Sequence, residues 1–139
     1  MFAIYGSNLF DLVMLGGYAV KSINESAQWT YDYTSVKNFS LWAELSSNGK
    51  NQAGIFAGYS KNLGTEGDNY GLYYSRGANI NYVYRIAPRI IINMEKVRIA
   101  AELEYTSAQY GTADTGGHVN SGLNTESNLR LLLAFYYFF

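Results

Sequence analysis

The sequence predicts an all-β fold of long antiparallel strands, on the basis of three observations. Apolar and polar side chains alternate with a period of two, which is the spacing of the two faces of a strand. The stretches 78–94, 97–110 and 125–139 are about 14 to 17 residues long, whereas strands of globular proteins usually have ~5 or 6 residues. The connections alternate between short turns and longer segments rich in Gly, Asn, Asp, Ser and Thr.

The C-terminal half shows the clearest alternation. In the last stretch, one predicted face is large and apolar: Leu129, Leu131, Leu133, Phe135, Tyr137 and Phe139. Its other face carries Glu126, Asn128 and Arg130. Between 97 and 110 the odd positions are apolar and the even positions carry the charges, and between 78 and 95 this parity is reversed. Pro88 falls on the apolar parity, so we expect it to interrupt its strand, for example at a bulge.

Two hairpins follow from these parities. A two-residue turn at Glu95-Lys96 sets Ile92 beside Ile99 and Arg89 opposite Glu102, so that apolar side chains share one face. The stretches 32–47 and 51–63 both place their apolar residues at odd positions. Partners in a hairpin must point to the same face, so this pair requires an odd-length connection, which residues 47–51 can supply with a bulge at Gly49.

We count about six strands, at 9–23, 32–47, 51–63, 77–95, 97–110 and 124–139. The alternation in 9–23 is weak, and residues 2–5 read as the end of another strand. The predicted long loops are 24–31, 64–76 and 111–124. Single-chain bacterial barrels begin at ~8 strands, so residues 1–139 are predicted to form a single barrel segment. Two explanations stay open: the chain is the C-terminal part of a larger barrel or a truncated gene product, or it closes by association with other copies.

Composition restricts the chemistry. The net charge of -1 argues against nucleic acid as a partner. With no Cys and a single His, thiolate and multi-histidine metal sites are excluded, and we predict neither a metal nor a cofactor. No apolar run reaches the ~18 to 20 residues of a spanning helix.

The apolar faces can meet either lipid or a protein core. A soluble sandwich or small barrel also alternates, but three features favour a transmembrane β-barrel. The strands are long enough to cross an apolar band of ~25 Å. Four of the five arginines lie in mid-strand on the polar face, where their guanidinium groups can bridge carboxylates in a confined lumen. Tyrosines cluster toward strand ends, as in interfacial girdles: Tyr31, Tyr33, Tyr59, Tyr105 and Tyr137.

The last ten residues, Arg130-Leu-Leu-Leu-Ala-Phe-Tyr-Tyr-Phe-Phe139, resemble the C-terminal sorting strand of gram-negative outer-membrane barrels. The resemblance implies a bacterial outer-membrane location and recognition by the barrel-assembly machinery at Tyr137 and Phe139. Residues 77–139 are similar to the last strands of porins, such as those of Bacteroidota or the dicarboxylate-associated trimeric porins. A trimer or other homo-oligomer is therefore left open, and the three long loops are expected on the external side.

We predict a porin-type channel for passive diffusion of small hydrophilic or charged solutes, without catalysis. The predicted lumen charges are Arg85, Arg89, Arg98, Arg130, Glu44, Glu102, Glu104 and Glu126. Such charges select permeating ions, although a ladder that only stiffens the wall is an equally good interpretation. Trp42 and Phe56, on the polar parity, are expected to pack in the lumen or to contact solute.

Two alternative functions stay open: a structural or anchoring barrel without an open channel, and a barrel-embedded lipid hydrolase. For the hydrolase, His118 would have to form a triad with its neighbours Ser121, Asp114 and Glu126 in and beside a Gly-rich loop, where a solvated histidine is the ordinary outcome. The loop oxygens of Glu66, Asp68, Asn69 and Asp114 lack the alternation of a calcium loop, which favours solvated loops.

Overall fold

The computed structural model describes residues 1–24 and 30–139, and it confirms an all-β fold. The described residues form one antiparallel sheet of eight strands: β1 (Phe2–Ser7), β2 (Gly16–Asn24), β3 (Thr30–Ser46), β4 (Asn51–Thr65), β5 (Tyr73–Arg76), β6 (Ile80–Met94), β7 (Val97–Ala113) and β8 (Val119–Tyr137). The sheet has the shape of a half-barrel. A search of the described residues for a helix long and apolar enough to cross a membrane finds none.

The order in the sheet is β5-β2-β3-β4-β6-β7-β8, and β1 also pairs with β3. Strands β1 and β2 lie one after the other along the same edge of β3, opposite Lys37–Trp42 and Thr30–Val36 respectively. The prediction of one strand over 9–23 is therefore wrong in its first half. Residues 8–15 leave the sheet in a turn, where Asn8 has φ 53 and the Leu9 carbonyl accepts hydrogen bonds from two backbone N–H groups.

The predicted hairpin registers are confirmed. Ile92 is opposite Ile99 and Arg89 is opposite Glu102 across the β6–β7 turn. The β3–β4 ladder pairs Leu45 with Ile55 and ends at Ser46 opposite Gly54, which leaves an odd number of residues, 47–53, beyond it. Gly49 in this connection has φ 128, and no register shift occurs there. Pro88 interrupts pairing with β7 but causes no register shift, so the suggested bulge is wrong. A strand can lose one ladder position at a proline without inserting a residue.

Two predicted loops are shorter than expected. The segment 64–76 contains β5, which pairs with Gly16–Ala19 of β2. The segment 111–124 is mostly strand, because β7 continues to Ala113 and β8 begins at Val119. The polar composition of this segment wrongly predicted a loop, because the two strands continue to pair beyond the apolar part of the hairpin, with Thr112 opposite Ser121. The predicted loop 24–31 lies largely outside the described residues.

The two faces of the sheet differ in exposure. Residues 34, 36, 38 and 40 of β3 are buried, while the residues between them are only partly buried. On the opposite face of the neighbouring strands, Ile55, Ile86 and Ile90 are 46%, 42% and 50% exposed, whereas β8 at the open edge is exposed on both faces. Side chains converge inside a curved sheet and diverge outside it, so the buried face is the concave, inner face and the exposed one is the outer face. Within the described residues, no second layer covers the outer face.

The sheet does not close within the described residues. Among the described strands, β8 pairs only with β7, and no ladder joins it to β1, β2 or β5 at the opposite edge. Nineteen residues of β8 therefore present one unpaired backbone edge. Such an edge is a template for pairing with another strand.

Gly17 holds β5 against β2. Its φ is 129, and a Cβ there would lie 2.4 Å from the Cα of Ser75. We expect Gly17→Ala to destabilise the chain by about 1–3 kcal/mol, because the backbone of β5 would have to move. The midpoint of urea unfolding measures this loss. Gly67→Ala is the control, since a Cβ at Gly67 meets nothing within 4 Å; equal midpoints for the two variants would contradict the expectation.

Candidate pore-lining face

The inner face carries an ion-pair network across the last three strands. Glu104 of β7 lies 3.2 Å from Arg85 of β6 and 3.1 Å from Arg130 of β8, and its side chain is only 12% exposed. Arg85 also donates from Nε to the hydroxyl of Thr106. Two guanidinium groups therefore share one carboxylate, and this group of three residues has a net charge of about +1 at neutral pH.

A second ion pair crosses β4. Arg89 of β6 bonds to Glu44 of β3, although Arg89 is opposite Glu102 in the β6–β7 ladder. The strand between them presents Gly54, where a Cβ would lie 3.3 Å from Nε of Arg89. The glycine lets the arginine side chain pass over the sheet. The prediction that Arg89 pairs with Glu102 is thus correct for the backbone register and wrong for the salt bridge.

The remaining predicted lumen charges lie on the same face but outside these ion pairs. Arg98 donates from Nε to Oδ1 of Asn93 at 2.7 Å and lies over the ring of Phe138. Glu126 accepts a hydrogen bond from Asn124 at 2.6 Å. The structure therefore brings five of the eight predicted charges into ion pairs: Glu44, Arg85, Arg89, Glu104 and Arg130.

Sequence reasoning missed that residues 8–15 fold onto the inner face. We call them the inserted segment. Leu15 is 2% exposed and packs in a cluster with Ile80, Val83 and Ala108. The amide of Asn38 donates to the Leu15 carbonyl at 2.8 Å and fixes the segment to β3. Four consecutive apolar residues from Leu12 to Leu15 were the available signal, because they break a period of two.

The inner face also carries an aromatic row. Trp42 lies between Phe2 and Phe56, with ring centroids 5.8 and 6.0 Å apart. Leu12, Met14, Trp42 and Phe56 line an open groove of about 230 Å³ together with Arg85. The sequence-based expectation that Trp42 and Phe56 face inward is confirmed, and the inserted segment forms the opposite wall.

The β7–β8 turn, residues 114–118, bends toward β4. The Gly116 carbonyl accepts from the Thr65 N–H, and the Thr115 carbonyl accepts from the N–H of Asn69, both at 2.8 Å. This turn therefore ties the loop end of β7 and β8 to the segment that follows β4.

The residues of this turn that were considered for a triad make other hydrogen bonds instead. The Asp114 carboxylate accepts from the backbone N–H of His118 at 2.9 Å, and Ser121 donates to the Thr112 carbonyl. The structure does not bring them together as nucleophile, base and carboxylate. Among the described residues, no group of three His, Cys, Asp or Glu side chains could hold a metal ion. Of the four residues considered for calcium, Asn69 accepts a hydrogen bond from the Gly71 N–H at its Oδ1, and Glu66 accepts one from the Ser7 hydroxyl.

Asp114 makes the turn sensitive to acid. The backbone N–H of His118 lowers the pKa of Asp114 below its ordinary value of 3.8, and the amide of Asn120 lowers it further. A carboxylate with a lowered pKa adds stability above its ordinary pKa and loses it as the pH falls through the folded-state value. We expect the exchange protection of the His118 amide to be constant from pH 7 to about pH 4 and to fall below that. Asp114→Ala should remove protection at every pH, and a pH-independent wild type would contradict this role.

The outer face is divided into an aliphatic band and tyrosine rows. On β7 and β8 the paired positions are Val97 with Tyr137, Ile99 with Phe135, Ala101 with Leu133, Leu103 with Leu131, and Tyr105 with Leu129. Beyond this last pair the outer positions become polar, beginning with Ser107 opposite Ser127. Tyr59 stacks with Tyr82, and Tyr84 contacts Tyr105, both at 6.0 Å.

Further tyrosines continue this row along the loop end, and aromatic residues bound the other end. Tyr18, Tyr33 and Tyr74 contact one another with centroids 5.2 to 6.1 Å apart. At the turn end, Tyr137 contacts Phe139 edge to face at 5.2 Å. The aliphatic band is therefore flanked by aromatic rings on both sides.

Comparison of the chain with family models, curated proteins and solved structures finds no match.

Proposed function

We propose that the chain forms part of the wall of a transmembrane β-barrel in a bacterial outer membrane, with its outer face toward lipid. The observation that carries the proposal is the exposed aliphatic band with aromatic rings at both of its ends. Soluble monomers rarely expose a contiguous apolar patch of more than a few hundred Å². A band that is apolar, exposed and bounded by tyrosines is the arrangement of membrane barrels.

The height of the band supports this assignment. From Val97 to Tyr105 the strand covers about 27 Å at ~3.4 Å per residue. A strand tilt of ~40° reduces this to ~21 Å, close to the ~25 Å apolar band of outer-membrane barrels. The polar pair of Ser107 and Ser127 then falls at or beyond the lipid boundary.

The open edge of β8 adds a requirement. Each unpaired backbone group in hydrocarbon costs several kcal/mol, so a bilayer accepts this sheet only when another strand pairs with β8. We propose that this strand belongs to the rest of a larger barrel or to a second copy of the chain. Either partner would continue the lipid-facing surface and enclose the inner face.

The enclosed inner face is proposed to line a passive channel for small hydrophilic or charged solutes. The ion-paired arginines and carboxylates keep this wall hydrated, and their local field biases which ions pass. The proposal involves no catalytic step. Barrel-assembly machinery and lipid are the partners it requires.

Conductance tests the channel directly. The full chain is reconstituted in a planar bilayer, with protease protection in matching vesicles to verify insertion. Discrete current steps are the expected result. Insertion of this chain alone requires that copies pair at β8, so inserted protein that gives no current at any voltage would remove the channel and leave the barrel wall.

The inserted segment favours a second candidate, a barrel whose lumen is closed. It fills part of the inner face, and Asn38 holds it through the Leu15 carbonyl. We expect Asn38→Ala to raise conductance, because it removes the hydrogen bond that fixes this segment. Asn128→Ala, on the exposed inner side of β8, is the control. If neither variant changes the current, the segment is not an obstruction.

A further inference from the structure

The groove beneath the inserted segment combines features that differ from the rest of the inner face. It has a volume of about 230 Å³ and lies between Leu12 and Met14 on one side and Trp42 and Phe56 on the other. Leu12 is 68% exposed and Met14 is 50% exposed, although both lie on the face with the ion pairs. Exposed apolar side chains that converge on one groove are typical of a small-molecule site.

The floor of the groove is built from small residues. Gly58 is opposite both Trp42 and Arg85 in the two adjacent ladders. A Cβ at Gly58 would lie 3.1 Å from the Phe56 ring, so the glycine lets this ring lie down along the sheet. Ser40 and Ser60 continue the floor and bond to each other at 2.7 Å. An aromatic or apolar body can therefore lie flat against the rings.

The charge in the groove has one sign. Within the described part of the chain, Arg85 is the single charged residue among those that line it. Arg85 shares Glu104 with Arg130, so the carboxylate does not neutralise both cations. The Arg85 side chain is 46% exposed and can accept an additional anionic partner. A guanidinium group binds a carboxylate through two parallel hydrogen bonds.

We infer that this groove binds a small amphipathic organic anion, with its carboxylate on Arg85 and its apolar or aromatic body against Trp42, Phe56 and Met14. The inference deepens the proposed function, on which it rests for the inner face being the water-filled side. Among solutes that reach this face, such anions would be retained and others would pass.

Fluorescence of Trp42 tests the inference. Trp29→Phe leaves Trp42 as the only tryptophan, and the full chain is studied in a neutral detergent. The probes are 3-phenylpropionate and 3-phenylpropylammonium, which carry opposite charges on a phenylalkyl body, and titration of the Arg85→Gln protein measures how much of each signal comes from partition into micelles. We expect 3-phenylpropionate to change the Trp42 emission saturably and to bind at least ~10-fold more tightly than the ammonium probe, because only the anion can form a charge-assisted contact with Arg85.

Variants locate the site. Arg85→Gln should weaken 3-phenylpropionate binding by ~10-fold or more. Met14→Gln should also weaken it, because the substitution makes the apolar side of the groove polar. Lys96→Gln removes the same charge from the β6–β7 turn, away from the groove, and should bind like the parent. Equal binding of the two probes, or Arg85→Gln with parental affinity, would overturn the inference even if the chain conducts. Selective binding without conductance would retain the anion site and remove the channel.

Discussion

Leu133→Arg is expected to prevent stable insertion of the chain into a bilayer. Leu133 lies at the centre of the aliphatic band, opposite Ala101, and is 56% exposed on the outer face. An arginine on the lipid face near the midplane of a barrel costs ~2–4 kcal/mol. This corresponds to a roughly 25- to 700-fold lower vesicle-bound to free ratio. Flotation with phosphatidylcholine vesicles over a series of urea concentrations measures that ratio.

The neighbouring residue provides a matched control. Leu132 is 49% exposed and lies on the inner face, opposite Glu102. Leu132→Arg makes the same chemical change one residue away and places the charge beside a carboxylate in water. We expect it to insert like the parent chain. The face assignment would be inverted if Leu132→Arg abolished insertion and Leu133→Arg did not.

The second large effect concerns ion selectivity. Arg85→Ala together with Arg89→Ala removes two positive charges from the inner face and leaves Glu44 without its partner, while Glu104 keeps Arg130. We expect the reversal potential across a salt gradient to shift toward cation preference, with a permeability ratio changed roughly two- to five-fold. The shift should shrink at high salt, because screening shortens the range of the field.

A control variant separates an electrostatic effect on the permeating ions from a structural effect on the wall. Glu44→Ala removes the other member of the second ion pair, so it should move the reversal potential toward anions. If all three changes leave the reversal potential unchanged in a conducting chain, the ion pairs only stiffen the wall. Any ion selectivity of the channel would then come from other residues.

The long strands and their registers were predictable because a period of two assigns each side chain to a face. The pairing of Ile92 with Ile99 followed from parity alone. Strand limits at the loop end were not predictable, since Thr112 and Ser121 pair where neither face is apolar. The short strand β5 was hidden in a polar segment because four residues are too few to show a period.

The candidate site was predictable in composition but not in its contacts. Parity placed Arg89 and Glu44 on one face, but it did not show that their ion pair crosses β4 at Gly54, where a Cβ would lie 3.3 Å from Nε of Arg89. The apolar run from Leu12 to Leu15 signalled a break in the strand pattern, but the place of the inserted segment against the inner face was not predictable, because it involves a contact with Asn38, 23 residues further along the chain. Long-range contacts of this kind leave no local pattern in the sequence.

Cysteine scanning of β8 from 129 to 135 tests the central assignment most directly. The chain has no Cys, so each single-cysteine variant carries one environment-sensitive label. In vesicles, the account predicts that labels at Leu129, Leu131, Leu133 and Phe135 are quenched by brominated lipid, and that labels at the even positions are quenched by iodide in water. Odd positions shielded from both quenchers in the folded chain would place these residues in a protein core and contradict the account.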